Sequence, residues 1–205
     1  PYLDLCERLG AFARQAAKGS VEAIHITYYG GVVDFDCVPL TRAVQKGWLA
    51  GIAGEDGIND VNAPFKIKDL GIKVETTKSS TSVDYNELIE VKTIANDKKE
   101  QMVRGTVLGK TNDPRIVEVD GQAIEVRPVD TLLVIRNVDK PGIVGKLGTT
   151  LGDCSVNIAN MSLSRAEEGE WALTICELDN EPPESALQAL VEDPDIREAR
   201  VSRQG

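Results

Sequence analysis

The sequence predicts an α+β protein made of two units, residues 1–129 and 130–205. Two observations predict this class. Helical spacing of apolar residues dominates the beginning of the chain, and from Ile72 it gives way to short alternating strands. The rest of the chain then follows the order strand, helix, strand, strand, helix, strand. A length of 205 residues allows a separate core in each unit.

The first unit begins with alternating helix and strand. Residues 2–18 place apolar side chains at helical spacing and end at a Lys-Gly-Ser sequence, which stops a helix. Residues 21–29 are rich in β-branched and aromatic side chains and precede a Gly-Gly turn, which predicts a strand. Helical spacing returns over residues 38–49 and, in a shorter segment, over residues 61–70.

The remainder of the first unit is predicted to be a series of β-strands. The Asp120-Gly121 dipeptide lies between two alternating runs and predicts a two-residue hairpin turn, because both residues tolerate positive φ. Residues 95–99 form a second, charged hairpin loop. The predicted strands are 72–79, 87–95, 101–109, 115–119 and 122–127.

The last unit is expected to adopt the ferredoxin-like βαββαβ fold, with both helices on one face of a four-stranded antiparallel sheet. An acidic turn over residues 166–169 separates its two middle strands. A Pro-Pro pair at 182–183 opens its second helix. The predicted strands are 131–137, 156–165, 171–178 and 196–201, and the first helix covers 142–152.

Composition and charge exclude several classes of function. The net charge is -10, and the lysines and arginines do not cluster with aromatics, so a nucleic acid would be repelled. No apolar run approaches the roughly 20 residues that cross a bilayer, and residues 1–20 lack the layout of a signal peptide. The four cysteines are far apart, which is typical of buried thiols in a reducing compartment. We expect a cytoplasmic protein without nucleic-acid or membrane partners, and the start at Pro1 suggests part of a longer chain.

The sequence lacks the pattern of a catalytic, cofactor or metal site. His25 is the sole histidine and lies in a predicted strand, where a packed or hydrogen-bonded role is expected. One histidine and scattered cysteines do not form a metal site. The glycines between 51 and 57 follow a predicted helix rather than a strand, which favours a loop over a nucleotide-binding turn. We therefore assign no catalytic residue, cofactor or metal to this chain.

The loop at residues 138–145 is the best candidate for a binding site. Pro141 suits the first turn of a helix, and Gly142 allows another backbone to come close. The exposed amides that follow attract a carboxylate through the helix dipole. Asp139, just before them, can receive an ammonium group, so the loop offers the two opposite charges that a zwitterionic amino acid needs. An aspartate at a helix start is also a common capping residue, and both roles remain open.

Two asparagines can complete such a site. Asn157, at the start of the next strand, offers an amide donor and an acceptor for a ligand carboxylate or hydroxyl. Asn137 lies two residues before Asp139, on the same face of its strand, and offers the same groups. Asparagine after a Gly-Asp turn is also common turn chemistry, so a structural role for Asn157 stays open.

These segments resemble an ACT domain, and in particular the one that ends D-3-phosphoglycerate dehydrogenase. The resemblance rests on Leu-Val-Ile-x-Asn-x-Asp-Lys-Pro-Gly-Ile-x-Gly at 133–145 and on Leu-Gly-x-x-x-Val-Asn-Ile-Ala at 151–159. Upstream, Gly30, Val-Asn-Ala-Pro-Phe at 61–65 and Gly-Ile-Lys-Val at 71–74 resemble the intervening domain of the long form of that enzyme. The resemblance spans nearly the whole chain. It implies an intervening domain followed by an ACT domain.

The resemblance also implies a function and a set of site residues. In that family ACT domains pair edge to edge in a homo-oligomer, and L-serine binds across the junction and regulates serine biosynthesis. The implied ligand positions are Asn137, Asp139, the amides near Gly142 and Ile143, and Asn157 from the neighbouring subunit. Asn137 departs from the aromatic or histidine side chain of some members. The parent enzyme would use NAD, held by catalytic domains upstream of this region.

A second site that the resemblance implies is an anion-binding effector site near Arg115 and Arg127. A simple two-residue turn at Asp120-Gly121 would pair Arg115 with Val126 and send the two arginines to opposite faces of the sheet. We therefore expect no shared site there unless a β-bulge shifts the register.

Two other functions remain open from the sequence. The chain could be the small subunit of an iron–sulfur L-serine dehydratase, in which the same two kinds of domain are expected. It could instead be a stand-alone amino acid sensor, or an oligomerisation module without a ligand. The regulatory region of a D-3-phosphoglycerate dehydrogenase is the preferred interpretation.

Overall fold

The computed structural model describes residues 1–50, 57–81, 83–166 and 171–203. Within them, the strands assemble into a six-stranded sheet and a four-stranded sheet. The α-helices are α1 (Tyr2–Ala16), α2 (Cys37–Leu49), α3 (Ala63–Asp69), α4 (Ile143–Asp153) and α5 (Glu184–Val191), and a 3₁₀ turn covers Gly31–Asp34. The strands are β1 (Val21–Gly30), β2 (Lys73–Ser79), β3 (Glu87–Ala95), β4 (Glu100–Leu108), β5 (Asp113–Val119), β6 (Gln122–Val126), β7 (Thr131–Val138), β8 (Ile158–Arg165), β9 (Trp171–Leu178) and β10 (Ile196–Arg203).

The six-stranded sheet has the order β2-β1-β3-β4-β5-β6. β1 and β2 are parallel, whereas the other neighbours are antiparallel. A parallel pair needs a long crossover, and the segment that contains α2 and α3 supplies it. The β5–β6 hairpin turns at Asp120 and Gly121, whose φ angles of 50° and 82° are those that the Asp-Gly pair predicts.

Helices α1 and α2 cross where each has a glycine. A β-carbon on Gly10 would lie 2.1 Å from the Val44 carbonyl oxygen, and one on Gly47 would lie 1.8 Å from the Glu7 carbonyl oxygen. Only glycine allows two backbones to approach this closely. The apolar sides of both helices pack with the six-stranded sheet in one core. Its largest buried side chains include Trp48, Tyr28, Phe12, Leu5 and Leu9.

The four-stranded sheet has the order β10-β7-β9-β8 and is antiparallel throughout. Its β7 residues Leu133 and Ile135 pack with Leu147 and Leu151 of α4 in a second core. α5 adds Leu190 to the same core, so both helices lie on one face of the sheet. This is the ferredoxin-like arrangement, and the predicted α+β class and element order are confirmed.

The other face of the four-stranded sheet is buried against the first unit. Along β7 and β9, every second side chain points away from α4 and α5. These side chains belong to the core that contains α1, α2 and β5. At the edge of this contact Lys18 Nζ lies 3.1 Å from Glu198 Oε2. The predicted boundary between residues 129 and 130 falls in the segment that joins β6 to β7, and it stays a prediction. The shared apolar side chains are Leu132, Val134, Leu173 and Ile175.

Several element boundaries differ from the predictions. α1 ends at Ala16 rather than residue 18, because Ala17 is already extended, with φ -60° and ψ 132°. β8 begins at Ile158 rather than residue 156, after Ser155 takes a φ of 58° that turns the chain. Most of the predicted glycine loop at 51–57 and of the acidic turn at 166–169 lies outside the described residues. None of the described helices has the length and apolarity to cross a membrane.

Candidate functional site

A cavity of about 260 Å³ opens where β7 ends and α4 begins. Four of the five predicted effector positions line it, namely Asn137, Asp139, Gly142 and Ile143. Its size is near the lower end of the usual range for small-ligand sites. The fold therefore brings the predicted loop residues together around one space. The other lining residues are Lys140, Pro141, Val144, Leu163 and Arg165.

The N-terminus of α4 forms one wall of this cavity. Gly142 is the N-cap residue and has a φ of 97°, a left-handed conformation that favours glycine. No described side chain caps the first turn by a hydrogen bond. The amide of Lys146 donates to the Gly142 carbonyl at 3.0 Å, so the amides of residues 143–145 precede the first helical hydrogen bond. They carry the positive end of the helix dipole and can receive an anion.

Asp139 and Arg165, which both line the cavity, form an ion pair. Arg165 Nε lies 3.0 Å from Asp139 Oδ2, and the two side chains are 74% and 31% exposed, respectively. An exposed ion pair of this kind is held weakly. Asp139 therefore faces a cation of its own chain at the place where an ammonium group was predicted.

The position of Arg165 follows from the register of the sheet. Asn137 pairs with Ala172 and Ala172 pairs with Arg165, so the three residues form a row across β7, β9 and β8. Residues in one row point to the same face, which places Arg165 on the side of α4. Sequence reasoning missed Arg165. The available signal was the alternation of Met161, Leu163 and Arg165 along the predicted strand.

Asn137 is buried in the inner wall of the cavity. It is 1% exposed, and its Oδ1 accepts a hydrogen bond from Thr174 Oγ1 at 2.9 Å. Its Nδ2 donates to the Val138 carbonyl at 2.9 Å. Both polar groups of the side chain are thus engaged within the chain. Asn137 shapes the wall and ties β7 to β9.

Asn157 lies away from the cavity of its own chain. It precedes β8, whereas Arg165 ends that strand, so the two residues are at opposite ends of it. Asn157 Nδ2 donates to Asp179 Oδ2 at 2.6 Å. β8 is one of the two edge strands of its sheet, and β10 is the other. The structure therefore leaves the fifth predicted position outside the cavity of its own chain.

Two lysines hold the loop and α4 in place. Lys140 Nζ lies 2.5 Å from Asp195, and Lys146 Nζ lies 2.5 Å from Asp193 and 3.1 Å from Asp195. The hydrogen bond from Lys140 is the main cause that lowers the pKa of Asp195 below its ordinary value. Lys140 is thus committed to the start of β10, and the cation that faces Asp139 is Arg165.

A second cavity, of about 280 Å³, is lined by both Arg115 and Arg127. β5 and β6 pair Ile116 with Val126, and the register shifts before Glu118. The predicted pairing of Arg115 with Val126 is therefore wrong, because a bulge of the kind named as the exception is present. The expectation that the two arginines diverge is corrected in the same way, since the structure brings them to one cavity.

Carboxylates partner each arginine of the second cavity. The buried carboxylate of Glu177 receives the Arg127 guanidinium, and the other arginines have aspartate or glutamate neighbours. An anion entering this cavity would have to compete with those carboxylates. The pairs, at 3.0 to 3.9 Å, are Arg127–Glu177, Arg8–Asp4, Arg8–Asp130, Arg115–Asp113 and Arg115–Glu125.

The histidine and the cysteines lie apart from both cavities. His25 is in β1, with its Nε2 3.1 Å from the Glu75 carboxylate on the neighbouring β2. All four cysteines are free, and Cys6, Cys37 and Cys176 are buried. Within residues 1–50, 57–81, 83–166 and 171–203, no group of three or more potential ligands could hold a metal ion.

Comparison with protein families gives two matches. Residues 1–120 match the model of the D-3-phosphoglycerate dehydrogenase intervening domain, and residues 131–195 match that of the ACT domain. The first match contains α1 and the first five strands, and the second contains α4 and the cavity at its start. Together they cover most of the chain.

Curated proteins that the chain resembles are named D-3-phosphoglycerate dehydrogenase. The chain is 36% identical to the Methanocaldococcus jannaschii protein over 202 residues. The aligned segment covers 98% of this chain and 37% of the relative. The identity is 32% over 200 residues for Synechocystis, with coverages of 97% and 36%. It is 30% over 196 residues for Bacillus subtilis, with coverages of 96% and 37%. The chain thus spans little more than a third of the length of these relatives.

Proposed function

The chain belongs to the D-3-phosphoglycerate dehydrogenase family, as a regulatory region with an intervening domain and an ACT domain, and from this premise we propose that it binds L-serine or a similar small amino acid. The observation that carries the proposal is the cavity between Asp139 and the first turn of α4. The ligand acts as an allosteric effector rather than as a substrate.

The charges around this cavity suit a zwitterion. The Asp139 carboxylate is the acceptor for the ligand ammonium group, and a charge-assisted hydrogen bond of this kind is stronger than a neutral one. The amides of residues 143–145 receive the ligand carboxylate at the positive end of the α4 dipole. The two poles belong to adjacent segments of chain, so a ligand as short as serine spans them.

A second copy of the chain completes the proposed site. If two β8 edges pair antiparallel about a twofold axis, the start of one strand lies opposite the end of the other. Asn157 of one copy then approaches Asp139 and Arg165 of its partner. This explains how an asparagine at the far end of β8 contributes to the same ligand, and it makes the chain a homo-oligomer through its ACT edges.

Regulation follows from a ligand that touches two copies at once. Such a ligand favours the arrangement that holds both copies at the site, and the equilibrium moves by as much as its affinities for the alternative arrangements differ. The bias would pass through the buried junction between the two sheets. In the complete enzyme it would reach catalytic domains that we propose oxidise 3-phosphoglycerate with NAD.

A small anion at the cavity of Arg115 and Arg127 is a second candidate ligand. The bulge that brings both arginines to one cavity favours it. Because carboxylates already pair with the arginines, the anion should bind weakly and in exchange for one of them. Titration with inorganic phosphate, compared between the native chain and Arg115→Ala, tests this; equal responses would remove the second site from consideration.

Calorimetric titration with a panel of amino acids tests the main proposal. L-serine should give a saturable heat, and Asp139→Asn should weaken its affinity by about tenfold or more, since a charged hydrogen bond is lost. Asp153→Asn is the matched control, because Asp153 is exposed at the other end of α4. If the native chain gives no heat with any amino acid, the effector function is wrong.

Mixing two defective variants tests whether the site is shared. In an assembly of Asp139→Asn with Asn157→Ala, one site carries both substitutions and the other carries neither. The mixture should therefore regain about a quarter to a half of the native binding capacity, depending on subunit exchange, although each variant alone binds poorly. A mixture that binds no better than the sum of the separate variants would show that one site does not combine Asp139 of one copy with Asn157 of another.

A further inference from the structure

We propose that Arg165 selects the ligands of the α4 cavity by exchanging partners: its guanidinium leaves Asp139 when a ligand ammonium group arrives, and it then pairs with the ligand carboxylate. The inference rests on the proposed effector function and deepens it. It restricts the ligand class to free amino acids, which carry both charges. Amides and esters of amino acids, and hydroxy acids, would be rejected.

The first step of the exchange follows from the present pairing. Arg165 Nε is 3.0 Å from Asp139 Oδ2, so a ligand ammonium group competes for an oxygen that is already ion-paired. Arg165 is 74% exposed at the end of an edge strand, and its guanidinium can be resolvated when it leaves. A ligand that gives Arg165 a new partner can therefore displace it from Asp139, whereas a ligand that gives it none loses the free energy of the ion pair.

The second step follows from what else lines the cavity. Arg165 projects from the same face as Asn137, two strands away, on the side where α4 begins. A carboxylate held by the α4 amides would therefore lie within the range of a long arginine side chain. Arginine can pair with a carboxylate through two parallel hydrogen bonds, which lysine cannot do. The nearby Lys140 is held by Asp195.

Ligands that lack one of the two charges bind more weakly than the zwitterion, and each type fails at a different step of the exchange. An amine without a carboxylate must break the Arg165–Asp139 pair and offers the guanidinium nothing in return. A ligand with a carboxylate but no ammonium group leaves that pair intact, so its carboxylate accepts hydrogen bonds from the α4 amides alone. The zwitterion makes both contacts, and its advantage over either analogue depends on the charge of Arg165.

Arg165→Gln tests the exchange, with Arg197→Gln as the matched control. Arg197 is exposed on β10 and stacks on Trp171, with its guanidinium carbon 5.6 Å from the ring centre, and its loss changes the net charge equally. Affinities for L-serine, L-serinamide and 3-hydroxypropanoate are measured by amide chemical-shift titration, which reads weak binding. In Arg165→Gln, L-serinamide should bind more tightly, because it no longer has to break the ion pair. 3-Hydroxypropanoate should bind more weakly, because Asp139 without its cation repels the ligand carboxylate; each change should be about threefold or more.

The two shifts have opposite signs, which a general loss of structure cannot produce. If both analogues shift in the same direction, if L-serinamide gains nothing, or if Arg197→Gln behaves identically, the exchange is wrong. If L-serine causes no amide chemical-shift change in the native chain, the proposed effector function itself is wrong. Native binding of L-serine with unchanged selectivity in Arg165→Gln would leave that function standing and overturn only the role of Arg165.

Discussion

The carboxylate of Glu177 on β9 accepts hydrogen bonds from the backbone N–H of Arg127, at 2.8 Å, and from its Nε, at 3.0 Å. Asn160 Nδ2 adds a third at 3.0 Å. Glu177 is 1% exposed, whereas the Arg127 side chain is 55% exposed. The segment that leads from the first unit into the second is thus fastened to the second sheet by one buried charge.

This asymmetry predicts unequal costs for removing the two partners. Arg127→Ala leaves a carboxylate buried without its cation, and we expect a loss of about 3 kcal/mol in the free energy of unfolding. Glu177→Gln leaves the arginine free to turn into water, and we expect about 1–2 kcal/mol. Urea unfolding measures both, with the exposed Lys99→Ala as control. Equal losses, or a larger one for Glu177→Gln, would contradict this account.

Two helical glycines should respond to alanine in opposite ways. A β-carbon on Gly47 would meet the Glu7 carbonyl oxygen at 1.8 Å, so Gly47→Ala must push α1 and α2 apart and should cost about 3 kcal/mol or more. Apart from its chain neighbours and the backbone of its own helix, Gly148 in α4 has no atom of the described chain within 4 Å of its β-carbon position. Gly148→Ala should therefore stabilise the isolated chain by about 0.5–1 kcal/mol. A loss at Gly148 would indicate that another copy packs there.

Thiol labelling should find one fast-reacting cysteine. Burial raises the pKa of Cys176 to about 12, and burial likewise raises the pKa of Cys6. The thiolate is the reactive form, so at pH 8 very little of Cys176 is ready to react. Cys154, at the end of α4, is partly exposed. Disulfide-reagent labelling of the native chain should give one rapid equivalent, which Cys154→Ser abolishes; rapid reaction of a second thiol would contradict the buried core.

The junction between the two sheets should weaken in acid through Glu198. Burial raises the pKa of Glu198, but the hydrogen bond from Lys18 and the charges of Arg200 and Arg136 outweigh it, so its pKa is lowered. A lowered carboxylate pKa stabilises the fold above the unfolded value of about 4.3, and this stability is lost as the pH falls through the folded pKa. Glu198→Gln should therefore destabilise the chain at pH 7 and less so below about pH 4.

Other carboxylates titrate in the same range, so the difference between variant and native chain is the useful quantity. Urea unfolding of both at each pH gives it. Lys18, Arg136 and Arg200 are the charges that face Glu198, within 3.9 Å. A difference that stays constant from pH 7 to about pH 3.5 would show that the charge of Glu198 contributes nothing.

The fold was predictable from the sequence to a greater extent than the two cavities. Alternation and helical spacing are local, so they predict the βαββαβ order, and the Asp120-Gly121 turn is specified by two residues. The bulge between Ile116 and Glu118 does not follow from the turn dipeptide, and β6 also packs against β8 and β9 of the second sheet. The pairing of Arg165 with Asp139 depends on a row across three strands. Such registers follow from tertiary packing, which no single segment contains.

Substitution of Thr174 can show whether Asn137 stabilises the cavity wall or contacts the ligand directly. Thr174 is fully buried and its hydroxyl donates to Asn137 Oδ1. Thr174→Val keeps the shape but leaves that oxygen without its donor, and it should cost about 1–3 kcal/mol in the free energy of unfolding. Thr149→Val, on the exposed side of α4, should change it by less than about 0.5 kcal/mol.

A double-mutant cycle with Asn137→Ala then decides what the asparagine does. If its amide serves the wall of the cavity, the cost of Thr174→Val should largely disappear in the Asn137→Ala background, because the unsatisfied oxygen is gone. The affinity for L-serine should fall by less than about tenfold in Thr174→Val, since the ligand is held by Asp139 and the α4 amides. Additive stability losses would show that the two side chains do not interact. A much larger loss of affinity would make Asn137 a ligand contact.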